Sequence, residues 1–245
     1  MKFFIPFSVV SLCLLITASA GAYPTFLGQT GGAMMPTADV LPVDHLDLAV
    51  DGANTQAASR VRDSFPVRAR LVYGIGSGIE VGAGARIQRT LGEANNMYSF
   101  TGKFQLPVSP LAVHLAFGGL YAMERQRYNN QTTHSQQLYL LGTRAFTISE
   151  SPLIRIIASG GLSGYRTSTG ALHTTGVRPH AALETALPNQ LRLLVEHQRS
   201  SLLGHSGVTA ATLRVPLTSD FSLQVGYSDA FFLGLNFGYT AMPTE

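Results

Sequence analysis

The chain has 245 residues, with 17 Lys and Arg against 14 Asp and Glu and a formal net charge of +3 at pH 7. Charged residues make up 13% and hydrophobic residues 45%, a balance that excludes disorder, which needs few apolar residues and much charge. A single cysteine excludes a disulfide framework, and the lack of any Lys/Arg cluster excludes a nucleic-acid footprint.

Residues 1–22 read as a secretory signal peptide. Met1-Lys2 is the cationic start, Phe3 to Ile16 is almost wholly apolar, and Thr17-Ala18-Ser19-Ala20-Gly21-Ala22 supplies the small residues of a cleavage site after Ala20 or Ala22. The apolar stretch is shorter than the roughly 20 residues that span a bilayer. Cys13 lies inside it and follows Leu12, where a lipoprotein needs a small residue. The mature chain is therefore expected to carry no thiol, which suits an oxidising compartment. No later stretch reaches the length of a spanning helix. What remains is an exported soluble protein or a closed barrel, the only other way to satisfy backbone groups in lipid.

Residues 23–44 form a lead segment that contains Gly28-Gln29-Thr30-Gly31, then Met35-Pro36-Thr37-Ala38, then Pro42. His45-Leu46-Asp47-Leu48-Ala49-Val50 begins the first strand. This stretch resembles the start of the YjbH-type outer-membrane proteins, which open with the same two elements before their first barrel strand. The resemblance covers about residues 28–50. It implies an outer-membrane barrel associated with exopolysaccharide export, and it brings no catalytic residues. Physically, the glycines allow close backbone approach and the prolines deny the stretch a helix. It is expected either to tuck into the periplasmic mouth as a plug or to serve as a flexible lead.

From residue 45 to 240 the apolar residues recur with a period of two. Leu111, Val113, Leu115, Phe117, Gly119, Tyr121 and Met123 alternate with Ala112, His114, Ala116, Gly118, Leu120, Ala122 and Glu124. The same alternation runs through Ile79 to Ile87, Tyr98 to Leu106, Val177 to Leu187, Leu191 to Val195, Phe221 to Tyr227 and Phe231 to Tyr239. In these stretches the apolar series carries no Lys, Arg, Asp or Glu. A charge on a lipid face at mid-depth costs about 2–4 kcal/mol, so this absence favours a membrane barrel over a sandwich. About twelve strands (10 to 14) are predicted, in an all-β, transmembrane antiparallel up-and-down barrel: roughly 45–53, 66–73, 78–89, 97–106, 111–124, 136–148, 153–166, 174–187, 190–200, 207–217, 221–228 and 230–240. Within Leu138 to Ile148 both parities carry apolar residues and Arg144 shares the parity of Leu138. There the reading places Tyr139, Leu141, Thr143 and Ala145 outward, or a bulge at Gly142.

Short connections near 74–77, 107–110, 149–152, 188–189 and 218–220 alternate with longer polar ones at 54–65, 90–96, 125–135, 167–173 and 201–206. Short periplasmic turns and long outer loops would give this alternation. Both termini, including a tail at 241–245, are then periplasmic and the barrel lies in the cell outer membrane. Tyr73, Tyr98, Tyr121, Tyr165, Tyr227 and Tyr239 fall near strand ends, where tyrosine suits the headgroup level.

Parity sends Arg68, Arg70, Arg86, Lys103, Arg155, Arg178, Arg192 and Arg214 inward, opposed by Asp47, Asp51, Glu80, Glu124, Glu184 and Glu196. Two readings follow. The basic groups line a path for an anionic solute such as an acidic oligosaccharide, or they brace the barrel by pairing across strands. A third reading is a structural component of a surface-polymer export machinery with no open pore. The expected partners are outer-membrane lipids, a polysaccharide or other anionic solute, and export machinery, with no nucleic acid. Catalysis is not expected. A lipid-modifying enzyme would need Glu196, His197, Ser200, Ser201 or His205-Ser206 to converge, and parity points Glu196 inward and His197 outward. No cofactor is expected, and no metal, since His45, His114, His134, His173, His180, His197 and His205 lack ligand spacing.

Overall fold

The computed structural model describes residues 23–25, 29–31, 34–54, 66–90, 93–107, 112–127, 129–150, 153–199, 207–228 and 230–240. The expected signal peptide, the tail at 241–245, and Ser200, Ser201, His205 and Ser206 lie outside the described residues. Two short strands, β1 (Tyr23–Pro24) and β2 (Thr30–Gly31), pair with each other. Twelve longer strands follow: β3 (His45–Asn54), β4 (Val67–Gly76), β5 (Ile79–Thr90), β6 (Glu93–Gln105), β7 (His114–Gln126), β8 (Gln131–Glu150), β9 (Leu153–Thr169), β10 (Leu172–Ala186), β11 (Arg192–Arg199), β12 (Gly207–Pro216), β13 (Phe221–Ser228) and β14 (Ala230–Thr240). Each pairs antiparallel with the next, and β14 pairs with β3 to close the barrel. Closure leaves no sheet edge.

The outward series is the one the alternation predicts. Leu48, Val50, Leu71, Val81, Phe117, Leu193, Leu233, Leu235 and Phe237 are all exposed. An apolar face of this extent exceeds by far the few hundred Å² that a soluble surface usually exposes. Tyr73 and Tyr239 flank Leu46 near the end that carries both barrel termini (the near end), while Tyr98, Tyr121 and Tyr227 lie toward the opposite, far end. Tyr165 departs from that pattern. It has the parity of buried Ser163 and faces the lumen under the guanidinium of Arg178, which lies 3.7 Å from its ring centre.

Two expectations are corrected. The connections expected to be long at 90–96, 125–135 and 167–173 are short, at 91–92, 127–130 and 170–171. Ladder hydrogen bonds need no apolar side chains, so the strands continue through polar residues past the belt. There Thr133 and Thr169 share a hydroxyl bond of 2.8 Å and Ser135 and Thr167 one of 3.4 Å. Strands β8, β9 and β10 reach 20, 17 and 15 residues, well beyond the 9–11 or so that cross a bilayer.

The second correction concerns β8. Tyr139, Leu141 and Thr143 face inward and are buried, Ala145 shares their parity, and Leu138, Leu140 and Arg144 face outward. Register runs unbroken through Gly142, and the irregularity falls between Thr147 and Ser149. Tyr139 and Leu141 turn inward because the lumen offers them apolar partners, Ala116 of β7 and Ala38 of the lead. Arg144 is tolerated outside because Thr143 pairs with His114, the first residue of β7. That places it at the near-end boundary of the belt, with its guanidinium 4.9 Å from the Phe146 ring centre.

Candidate functional site

The candidate site is the lumen, and its occupant is the chain's own lead. Residues 29–31 and 34–42 run inside the barrel, tied to five of its strands. On β5, the Glu80 carboxylate accepts from the Thr30 amide (3.0 Å), the Thr30 hydroxyl (2.6 Å) and the Leu41 amide (3.1 Å). On β6, the Lys103 ammonium sits 3.1 Å from Glu80 and donates to the carbonyls of Thr30 (3.1 Å) and Thr37 (3.0 Å) and to the Thr30 hydroxyl. On β11, Glu196 accepts from the amides of Met34 (3.1 Å) and Met35 (2.9 Å). On β8, the Thr143 hydroxyl accepts from the Ala38 amide at 2.9 Å. Arg214 of β12 adds a bond to the Gly31 carbonyl at 3.1 Å.

These partners answer a problem of extended backbone. An irregular segment in a barrel has unpaired amides and carbonyls, each costly when buried. Carboxylates meet the amides, and Lys103 and Arg214 meet the carbonyls. Two glycines provide the clearance. A side chain on Gly31 would begin 2.2 Å from the Met35 carbonyl oxygen, and one on Gly74 would begin 2.0 Å from that of Pro42, where the lead leaves the lumen. At this level Glu80, Lys103, Glu196, Arg214, Gln224 and Asn236 are each no more than 4% exposed, so the inward side chains beside the lead have little contact with water.

Of the eight basic residues expected inward, six are in ion pairs. Arg68 and Arg70 share Asp51, at 3.3 and 2.7 Å, Arg86 meets Glu124 at 2.6 Å and Lys103 meets Glu80. Arg192 and Arg214 flank Glu184 at 2.7 and 3.7 Å. Arg178 covers Tyr165, and Arg155 stands at the near end of β9, level with Thr147 and Ala186. The bracing geometry thus accounts for most of the set. Glu196 and His197 face opposite sides: Glu196 is spent on the lead and His197 bonds Thr209 at 2.9 Å outside. Among the described residues, no group of three or more His, Cys, Asp or Glu is placed to hold a metal.

A closed twelve-strand wall with a greasy exterior and a polar, filled interior invites comparison with known barrels. The KdgM porin is similar at a TM-score of 0.57 and 8% identity, over 81% of this chain and 99% of that one. The outer-membrane protein Omp33 of Acinetobacter baumannii is similar at 0.44 and 11% identity, over 80% of this chain and 97% of that one. The fold is that of the outer-membrane barrels. No family model and no curated protein matches the chain.

Parity found the wall residues but not their partner. Met34, Met35, Ala38 and Leu41 complete the site through backbone amides, which leave no side-chain signature, and Thr30 adds its hydroxyl to its backbone groups. The one available sign was the pairing of a glycine-rich segment with inward carboxylates.

Proposed function

We propose that this chain is an outer-membrane barrel held shut by its own N-terminal segment, serving export of a surface polysaccharide rather than acting as a standing pore. The observation that carries the reading is the lead stapled across the lumen from β5, β6, β8 and β11. The exposed apolar belt supports the membrane location, and the likeness of residues 28–50 to the YjbH-type start supports the polysaccharide setting. Both barrel termini lie at the near end, which the reading places in the periplasm. No catalytic step is part of it.

Planar-bilayer recording tests the closure. The full chain is expected to show no steady conductance. Gly31→Val, whose added Cβ would first meet the lead's own backbone at Met35, Pro36 and Thr37, is expected to give open events with the wall intact. Steady conductance in the unaltered chain contradicts the reading. Deleting the gene and measuring secreted polymer tests the setting: unchanged polymer removes it.

A second reading rests on the charge of the lumen. With the lead displaced, Lys103 and Arg214 would lose backbone partners and join Arg155 and Arg178 in facing the path. Such a path would favour anions, so open events in Gly31→Val should be anion-selective. Cation selectivity excludes this second reading.

A further inference from the structure

The exterior of β6 to β10 is indented. Register stacks the outward residues of these five strands in rows, and one row is Gly102, Gly119, Leu138, Gly164 and Val177. Three of its five members have no side chain, so the surface falls away between larger neighbours. The next row toward the far end is Phe100, Tyr121, Gln136, Arg166 and Thr175. Between them lies a trough of about 980 Å³, walled by Phe100, Leu138 and Val177. It runs into a polar cleft of about 300 Å³ lined by Tyr121, His134, Gln136, Arg166 and Ser168. Tyr121, Gln136 and Arg166 belong to both.

The polar end carries one sign of charge. Arg166 and Arg125 face outward and make no ion pair among the described residues, and the His134 ring is held by the Tyr121 hydroxyl at 2.8 Å. Among the described residues of β6 to β10, the acids toward this end, Glu93 and Glu124, have inward parity, and Glu124 is taken by Arg86. Arginine at the belt edge with no acid beside it complements an anionic headgroup. The width bears on the tail. Five strands about 4.8 Å apart make a trough about 20 Å across, broader than one acyl chain.

We propose that this groove binds a phosphorylated glycolipid of the outer leaflet, of the lipid A type, with several acyl chains in the trough and a phosphate at Arg166 and His134. The inference rests on the outer-membrane reading and on its orientation, which turns the far end outward.

Native mass spectrometry of the full chain, extracted in mild detergent and offered lipid A, phosphatidylglycerol or phosphatidylcholine, tests it. One lipid A per chain should be retained, in preference to both phospholipids. Gly102→Leu and Gly164→Leu fill the trough from positions where an added Cβ meets no atom within 4 Å, so the barrel should fold and retention should fall at least tenfold. Arg166→Gln should lower affinity by about tenfold, the size of one charge-assisted hydrogen bond. Equal retention of phosphatidylglycerol overturns the proposal, as does retention that neither the filling nor the charge variants change. Membrane fractionation reads the location separately. A barrel in the outer membrane that retains no lipid A overturns the groove alone. A barrel found elsewhere that still selects lipid A overturns the location and upholds the groove's chemistry.

Discussion

Glu80 and Glu196 do different work on the same lead. Glu80 holds two amides of the barrel-crossing segment and also neutralises Lys103, which is 2% exposed. Removing one partner of a buried ion pair costs about 3–5 kcal/mol, because the other charge is left uncompensated. Glu196 serves the Met34 and Met35 amides, and losing a buried acceptor costs about 1–3 kcal/mol. Glu80→Ala should therefore lower the denaturant midpoint of the refolded barrel more than Glu196→Ala does, and both should raise the frequency of open events. Equal midpoints for both variants and the unaltered chain would show that the lead adds nothing to stability. Of this chemistry, the inward direction of both carboxylates was legible from parity. Their ligands were not, because a main-chain amide looks the same in every sequence.

At the scale of the strand, the apolar belt decides which substitutions matter. Leu235 of β14 faces lipid between Val50 and Leu223, so Leu235→Arg should cost about 2–4 kcal/mol in vesicle refolding. Arg144→Leu, at the belt's near boundary, should change stability by well under half of that. A similar cost at both positions would mean the belt is misplaced. Strand number, pairing order and most inward and outward assignments follow from period two alone, since one residue of slip exchanges the faces. Strand β8 did not, because Tyr139 and Leu141 pack on Ala38, a residue about a hundred positions earlier. Local alternation carries no information about such a partner. The polar extensions of β8, β9 and β10 were hidden for a related reason: outside lipid, hydrophobicity stops marking strands.

The described residues form a cylinder whose interior takes in the lead at 29–31 and 34–42. Among the described residues, six of the eight cations expected inward are in ion pairs, and the lead bonds Glu80, Glu196, Lys103 and Arg214. Closure and lead thus form one arrangement, and tying them together should lock it. The Ala38 amide donates to the Thr143 hydroxyl at 2.9 Å, which brings the two residues side by side as sites for a cysteine pair. Conductance of the Ala38→Cys, Thr143→Cys double variant, recorded before and after reduction, probes this directly. The cross-link should form in the oxidised protein and keep the barrel silent even when combined with Gly31→Val, with open events returning on reduction. A barrel that conducts steadily with the link in place would contradict a lumen closed by its own lead.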